Sequence, residues 1–561
     1  MAMLGWGMFY NRTEGVAEPL YARAMVVRDQ TGGRFAYVCA DLLLMSQAVR
    51  IAVLDGLTRD YAELGLDEAR VMLTATHTHS APAGYSHYFW INIGGPGFSR
   101  RVFDGIVGGI LEAIVAADRA RRPGRLRFLT GEVPTDAGIA FNRSWFAYNR
   151  NNDVAAVDYE RRAEAVDATM KVLRFDPDPQ PKDGGGRGMI CWFPLHGTCV
   201  HSENRKLHPD HKGLACGAFE SRSGAFGIFA QEATGDVSPN HRLDNHRGKV
   251  VGRFEDDYES AAWVASVEAD HAHRIAGASQ GHAGDGAGGR GQAVDGNLAA
   301  AIRYVDFSAA PIDPRLAASP GAPATTRSAR LGVSMALGTA EGPGPLYGTP
   351  WVPQLCNGLA RATDAVRGVR GVRRHDPLWP MLELDRGMDG RLMGILGLRS
   401  PLLLPVDPIV RYVRSLMKDG ALNDTPWIPQ IVPCQVVRMG PLAIAAIPFE
   451  PTTVAGRRLR HTLLDGLAPE GVEAVVLNPY ANAYAGYLTT FEEYQVQHYE
   501  AGYTVFGPWQ LAAVRTAFAT VAGDLLRGGS GDLGPRPPRI PTEHIERQAY
   551  TKPWPAYGSP T

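Results

Sequence analysis

Val71-Met72-Leu73-Thr74-Ala75-Thr76-His77-Thr78-His79-Ser80 decides how this chain folds. The first five residues are apolar or β-branched and end in two histidines two positions apart, so the run reads as a strand that delivers polar groups just past its end. Upstream, Ala22 to Val27 and Phe35 to Ala40 are β-rich runs separated by Asp29-Gln30-Thr31-Gly32-Gly33, a hairpin signal. Between the hairpin and Val71, Gln47 to Leu64 has helical spacing. Strand, helix, strand in that order predicts an α/β layout.

Downstream the pattern is mixed rather than a clean alternation. Phe103 to Ala120 has helical spacing, while Leu126 to Gly131, Met170 to Phe175 and Gly188 to Leu195 read as strands. Pro441 to Phe449 is among the longest apolar runs and reads as a buried strand, followed by a helical run over Thr452 to Leu463. The fold class expected is therefore α/β, a mixed β-sheet domain with flanking helices. Between Ala276 and Gly296 the sequence is mostly Gly, Ala, Ser, Gln and His, which buries too little apolar surface to order itself. It reads as a flexible insertion in a domain over residues 1–527, with a Pro- and Gly-rich extension over 528–561.

Composition narrows the partners. The 561 residues suggest ~3 to 4 domains on length alone, a soft prior that allows one large catalytic body. With 57 basic against 58 acidic residues, no global field favours nucleic acid. Six dispersed cysteines without a Cys-x-x-Cys pair form no disulfide framework. No apolar run reaches the ~18 residues of a membrane span, and Met1 to Gly7 carries no basic and apolar export signal. A soluble, cytoplasmic chain is the expectation from the residues as written.

Four further segments end apolar runs in reactive residues. Leu195-His196-Gly197-Thr198 opens a stretch that also holds Cys199, His201, His208, His211 and Cys216, whose spacing matches no familiar structural zinc pattern. One ligand among polar neighbours is the better reading, with Asp210 placed to orient an imidazole. Gly235-Asp236-Val237-Ser238-Pro239-Asn240 reads first as a capping turn in which Asp236 and Ser238 bond backbone amides, and second as a bend presenting a reactive serine; it is not a Gly-x-Ser-x-Gly elbow. Glu450 ends the strand over 442–448, where an acid also suits the start of a helix. Tyr484 and Tyr487 precede a capping box formed by Thr490 and Glu493. His77 and His79 lie on one side if the extended conformation persists past Ala75, as zinc ligands or as turn histidines before Pro82.

Taken together these strings resemble the neutral, non-lysosomal ceramidase family, from about Ala22 to about Leu526. The resemblance rests on residues 76–84, Gly235 to Asn240, Ala455-Gly456-Arg457-Arg458-Leu459-Arg460, and Leu488 to Gln495 running on to Tyr499-Glu500. It implies a zinc-dependent amidohydrolase that cleaves ceramide, an amphiphilic lipid, into sphingoid base and fatty acid, with transient contact at a membrane surface. It implies one zinc ion, held by His77, His196, Glu450 and Tyr487, and an active site lined by His79, Arg143 and Tyr499. Ser238 matches a serine that is either a nucleophile or a contact for the substrate hydroxyl. Under the first of two schemes, metal-activated water attacks the amide, with Tyr499 or Arg143 steadying the oxyanion and His79 protonating the leaving amine. The second gives the attack to Ser238. The first is favoured, because no histidine and carboxylate pair flanks Ser238 in sequence.

Three departures from the family pattern qualify the substrate. An opening signal with an extra strand and a closing β-sandwich domain have no counterpart in these residues, which bears on location and membrane docking. Phe449 stands where the family commonly has glycine, and its bulk is expected to reshape the pocket. The insertion after Ile275 stands where the family has a cysteine-rich region. Hydrolysis of another N-acyl amine, and lipid binding without turnover, are the competing functions.

Overall fold

A computed structural model describes residues 2–7, 11–180 except 94 and 96, 186–277, 291–317, 321–344 and 419–549 except 423 and 530, with scattered residues from 347 to 416. Most of the insertion read over 276–296 lies outside the described residues, as do Cys356 and everything past 549.

Three sheets share one interior. The first contains β1 (Ala22–Arg28), β2 (Arg34–Ala40) and β3 (Val71–Ala75), with β1 antiparallel and β3 parallel to β2. Its hairpin turn is tied by Asp29, whose Oδ1 accepts from Thr31 N and Gly33 N at 2.9 and 2.8 Å. The linking helix α1 spans Gln47–Asp60 and α2 spans Arg100–Arg119. Ser46 caps α1, and a separate 3-10 turn over Ala62–Leu64 completes the stretch expected to be one helix.

The second sheet contains β4 (Gly124–Glu132), β5 (Thr169–Pro177), β6 (Gly188–Trp192), β7 (Phe226–Ala230) and β8 (Gln292–Ala293), in the order β7-β6-β5-β4-β8. Only β6 and β7 run parallel, which α3 (Asp210–Ser223) permits by crossing between them. The helix α4 (Asp257–Gly277) packs beside α3. The third sheet follows the order β9 (Leu298–Asp306), β10 (Ile431–Met439), β11 (Leu442–Ala446), β12 (Ala474–Asn478), with α5 (Thr453–Leu467) joining the parallel pair β11 and β12 and α6 (Gln510–Leu526) closing the domain.

Side-chain alternation explains the layering. Along β2, Ala36, Val38 and Ala40 face a core shared with residues of α1, α2, α5 and α6, whereas Phe35, Tyr37 and Cys39 face the second and third sheets. The first and third sheets thus carry one helical layer, and the outer face of the second sheet packs on α3 and α4. At the centre, Trp192 Nε1 donates to Tyr37 OH and Asn478 Oδ1, both at 3.1 Å, and Tyr37 OH donates to Asn478 Oδ1 at 2.8 Å. One polar node therefore touches all three sheets without leaving its indole and phenol protons unpaired.

The described residues after Leu526 are pinned to the helical layer. Ile540 and Ile545 are buried in the helical-layer core, Arg539 pairs with Asp55, and Arg100 with Glu546.

Candidate active site

The parallel pairs β2/β3, β6/β7 and β11/β12 run in register, and the loops leaving the carboxyl ends of β3, β6, β7, β11 and β12 supply the reactive residues. The extended conformation does not persist past Ala75, so the condition under which His77 and His79 would share one side of a strand is not met, and they lie in a turn. His77 has φ +67°, and Thr78 bridges to Gly197 in the loop after β6. At Gly197 a Cβ would lie 2.4 Å from His77 O, so only glycine lets the two loops touch. The turn still brings His77 Nε2 and His79 Nε2 within 3.4 Å. His77 stacks on Tyr480 at 4.0 Å, and Trp6 packs edge-on against His79 at 5.0 Å.

Backbone carbonyls fix the imidazoles. His77 Nδ1 lies 2.7 Å from Leu43 O, and His196 Nδ1 lies 2.8 and 3.0 Å from Thr234 O and Val237 O. A carbonyl only accepts, so each Nδ1 carries a proton, and in the neutral ring Nε2 keeps its lone pair for a ligand. The two Nε2 atoms lie 3.7 and 2.8 Å from Glu450 Oε1. Oε1 is buried with no hydrogen-bond donor, while Oε2 accepts from Tyr484 OH at 2.8 Å. Burial holds His77 neutral, its pKa lowered to about 3 against the pull of Glu450. Burial alone would raise the Glu450 carboxyl, yet its surroundings hold it down at about 2, so it stays ionised. Imidazole Nε2 atoms converging on an ionised oxygen without a hydrogen-bond donor form a niche that suits a cation. Ligand atoms of His77, His79 and His196 all lie within 4.8 Å of one another.

Tyr487 reaches the same niche because Glu450-Pro451 pairs in parallel with Tyr487-Leu488. Its hydroxyl accepts from Arg143 Nη2 at 3.0 Å. Arg143 in turn donates through Nε to Glu500 Oε1 at 3.0 Å, through Nη1 to Glu341 Oε1 at 2.6 Å, and through Nη2 to Gly235 O at 2.9 Å. The Tyr499 ring lies under this guanidinium at 5.8 Å and 5.5 Å from the Tyr487 ring. Ser238 is paired to Phe141 across a two-residue ladder and is 1% exposed. Its Oγ donates to Glu341 Oε2 and accepts from Asn240 N at 3.0 Å. Asp236 braces the turn, accepting from Thr453 N and Asn142 Nδ2 at 2.7 and 2.8 Å.

All eight residues singled out in sequence therefore come to one region. The histidines after His196 scatter, which fits one ligand among polar neighbours rather than a structural zinc cluster: His211 pairs with Glu268, His208 stacks on Tyr258, and His201 lies by Asp257. Other expectations fail. The Asp210 carboxylate orients no imidazole, because its oxygens accept from Val200 N and His211 N; only its backbone N donates to a ring, at His208 Nδ1, 3.0 Å away. Phe449 does not reshape a pocket; it is fully buried, edge-on to Phe307 at 5.0 Å. Glu341 was invisible in sequence. Its segment, Thr339-Ala340-Glu341-Gly342-Pro343-Gly344, signals only a turn, and its partners are more than 100 positions upstream.

A family model described as neutral/alkaline non-lysosomal ceramidase, N-terminal, matches residues 1–363 and 413–516. The neutral ceramidase of Pseudomonas aeruginosa is 33% identical over 531 residues, covering 93% of this chain and 69% of the relative. Neutral ceramidase B of Dictyostelium discoideum is 29% identical over 545 residues, covering 92% and 69%. A solved ceramidase complexed with C2 superposes with TM-score 0.74 at 32% identity, covering 96% of this chain and 74% of that one. The crystal structure of the Pseudomonas aeruginosa enzyme superposes with TM-score 0.71 at 29% identity, with the same coverage.

Proposed function

This chain belongs to the neutral/alkaline non-lysosomal ceramidase family, and from that premise we propose that it is a zinc-dependent amidohydrolase that cleaves ceramide into sphingoid base and fatty acid. The reading rests above all on the donor set around Glu450 Oε1, a buried anionic oxygen faced by two imidazole Nε2 atoms. Nitrogen and oxygen donors of this kind fit zinc. His77, His196, Glu450 and Tyr487 would hold the ion, with His79 beside them. Bound there, zinc would supply Lewis acidity and bring the pKa of water down to about 7.

The chain's own residues divide the remaining work. His79 lies 3.4 Å from His77 and has no partner at Nδ1, and burial with the neighbouring imidazoles keeps its ring neutral, so a ring nitrogen would take the proton given up by the attacking water and then hand it to the leaving amine. Tyr499 offers a hydroxyl to the developing oxyanion. Arg143 is mostly committed to Glu341, Glu500, Gly235 and Tyr487, so its role is to hold those groups in place and polarise the Tyr487 oxygen. Ser238 receives the polar end of the substrate.

The lipid surface that carries the substrate is part of the same reading. Trp351, Leu355 and Leu359 are four residues apart in helical conformation and 62, 57 and 42% exposed, an apolar stripe suited to that surface. Co-sedimentation with ceramide-containing vesicles should fall when Trp351 and Leu355 are replaced by alanine, with hydrolysis of detergent-dispersed substrate retained.

The deciding assay measures fatty acid released from ceramide, N-acyl amino acids and simple amides, together with metal content. Ceramide turnover that is abolished by chelation and restored by zinc is the expected result. Full activity in metal-free protein would overturn the zinc assignment. Turnover confined to other amides would overturn the ceramide assignment.

A further inference from the structure

Glu341 is a buried acid of the site that gathers four donors. Oε2 accepts from Ser238 Oγ, from Asn240 Nδ2 at 2.7 Å and from Thr198 Oγ1 at 3.0 Å, while Oε1 accepts from Arg143 Nη1 at 2.6 Å. The side chain is 3% exposed. Its loop is held on both flanks. Gly338 bridges to Pro343, Thr339 N donates to Gly342 O at 3.0 Å, and Val250 N donates to Ala340 O at 2.7 Å. At Gly342 a Cβ would lie 2.7 Å from the Trp6 ring, so the loop is seated directly against the residue that covers His79. A carboxylate this firmly placed fixes whatever hydrogen-bonds to it.

We propose that Glu341 is a positioning residue that sets the polarity of Ser238, committing its proton inward so that Ser238 Oγ meets the substrate as a hydrogen-bond acceptor and selects amides whose amine part carries a hydroxyl. The inventory of Oγ supports this. A serine hydroxyl has one proton and two lone pairs. Glu341 takes the proton and Asn240 N takes one lone pair, which leaves one lone pair for a donor on the substrate. The same arrangement disfavours Ser238 as a nucleophile. Passing its proton to Glu341 would neutralise a carboxylate that also holds Arg143, Asn240 and Thr198, and the Arg143 charge keeps that carboxyl below its ordinary range in spite of burial. An alcohol proton has no reason to move to so weak a base.

The proposal rests on the reading of this site as an amidase centre and goes further, in assigning a residue and a substrate feature. It is tested by kcat/KM for a ceramide and for its deoxy analogues, which lack one hydroxyl each, with wild type, Ser238→Ala, Glu341→Gln and the double variant. Glutamine has one acceptor oxygen, so either Arg143 or the group around Ser238 then meets an NH2. The expected result is a roughly 10- to 100-fold loss on the hydroxylated substrate in Glu341→Gln, a much smaller loss on the analogue whose hydroxyl Ser238 would meet, and a double variant no worse than the poorer single one. Equal losses on both substrates, or losses that multiply in the double variant, would overturn it. If Glu341→Gln does not fold, Glu341→Asp keeps the charge near Arg143, withdraws it from Ser238, and gives the same readout. A wild type that prefers an N-acyl substrate without a hydroxyl refutes the ceramide reading and the selection claim together. The coupling of Glu341 to Ser238 is then read from the same cycle on that substrate, where multiplying losses overturn it.

Discussion

Two carbonyl oxygens at the Nδ1 of His196 and one at that of His77 determine what this site offers a ligand, because they choose the tautomer and so turn Nε2 into a lone pair. Tyr484 does the equivalent for Glu450, donating to Oε2 and leaving Oε1 open. Tyr484→Phe should therefore cost about 10- to 100-fold in zinc affinity, read by competition with a chelating dye. Unchanged affinity would mean that Glu450 is oriented by something else. Sequence reading could offer both Tyr484 and Tyr487 but had no physical ground to rank them, since they differ only in which atoms they reach after folding. Phe449 gives the opposite lesson. Its position next to Glu450 suggested a role in the pocket, yet strand alternation turns neighbouring side chains to opposite faces, and its ring is buried against Phe307 and Phe506. Phe449→Gly is expected to cost about 3 to 5 kcal/mol in urea unfolding with substrate preference unchanged. Altered preference at full stability would contradict that placement.

At the level of elements, α3 and α4 are clamped by a buried ion cluster whose other end reaches the site. Glu268 on α4 accepts from Lys212 Nζ and His211 Nδ1 on α3 at 2.6 and 2.7 Å, and His211 Nε2 lies 2.8 Å from His196 O. Removing the acid leaves the buried Lys212 ammonium and the His211 ring without their partner, so Glu268→Ala should lose about 3 to 5 kcal/mol of stability. The pH dependence has a definite sign. Burial alone would raise the Glu268 carboxyl, but Lys212 and His211 bring it down to about 2, below its ordinary 4.5. A carboxyl depressed on folding contributes stability above its unfolded pKa and forfeits it as pH falls through the folded value. Wild type should therefore lose on the order of 3 kcal/mol between pH 5 and pH 2 from this group. Glu268→Gln should show a correspondingly shallower acid limb in denaturant titrations, and an unchanged limb would show that the cluster does not govern it. The elements themselves were largely legible. Val71–Ala75 and the hairpin strands lie where periodicity put them, and Thr490 with Glu493 forms the expected capping box. These are local signals, carried by residues within a few positions of one another.

Across the whole molecule, the terminal segment behaves as part of the domain surface it covers. A chain ending at Arg527 would lose burial of Ile540 and Ile545 and the pairs Arg539–Asp55 and Arg100–Glu546. The expected cost is about 3 to 6 kcal/mol for the two isoleucines alone, measured as a fall in urea midpoint against the full chain; an unchanged midpoint would show the segment to be a passive appendage. Substrate choice also belongs to this scale, since it depends on how loops from five strands sit around one centre. The sequence by itself determined the α/β class, the positions of several strands and helices and the reactive strings, because hydrophobic period, turn chemistry and capping act over short spans of chain. It could not supply the left-handed turn at His77, the partners of Arg143, or the contact between Ser238 and Glu341. Those depend on which loops abut once three sheets have packed, and packing is decided by side chains hundreds of positions apart that sequence order does not bring together.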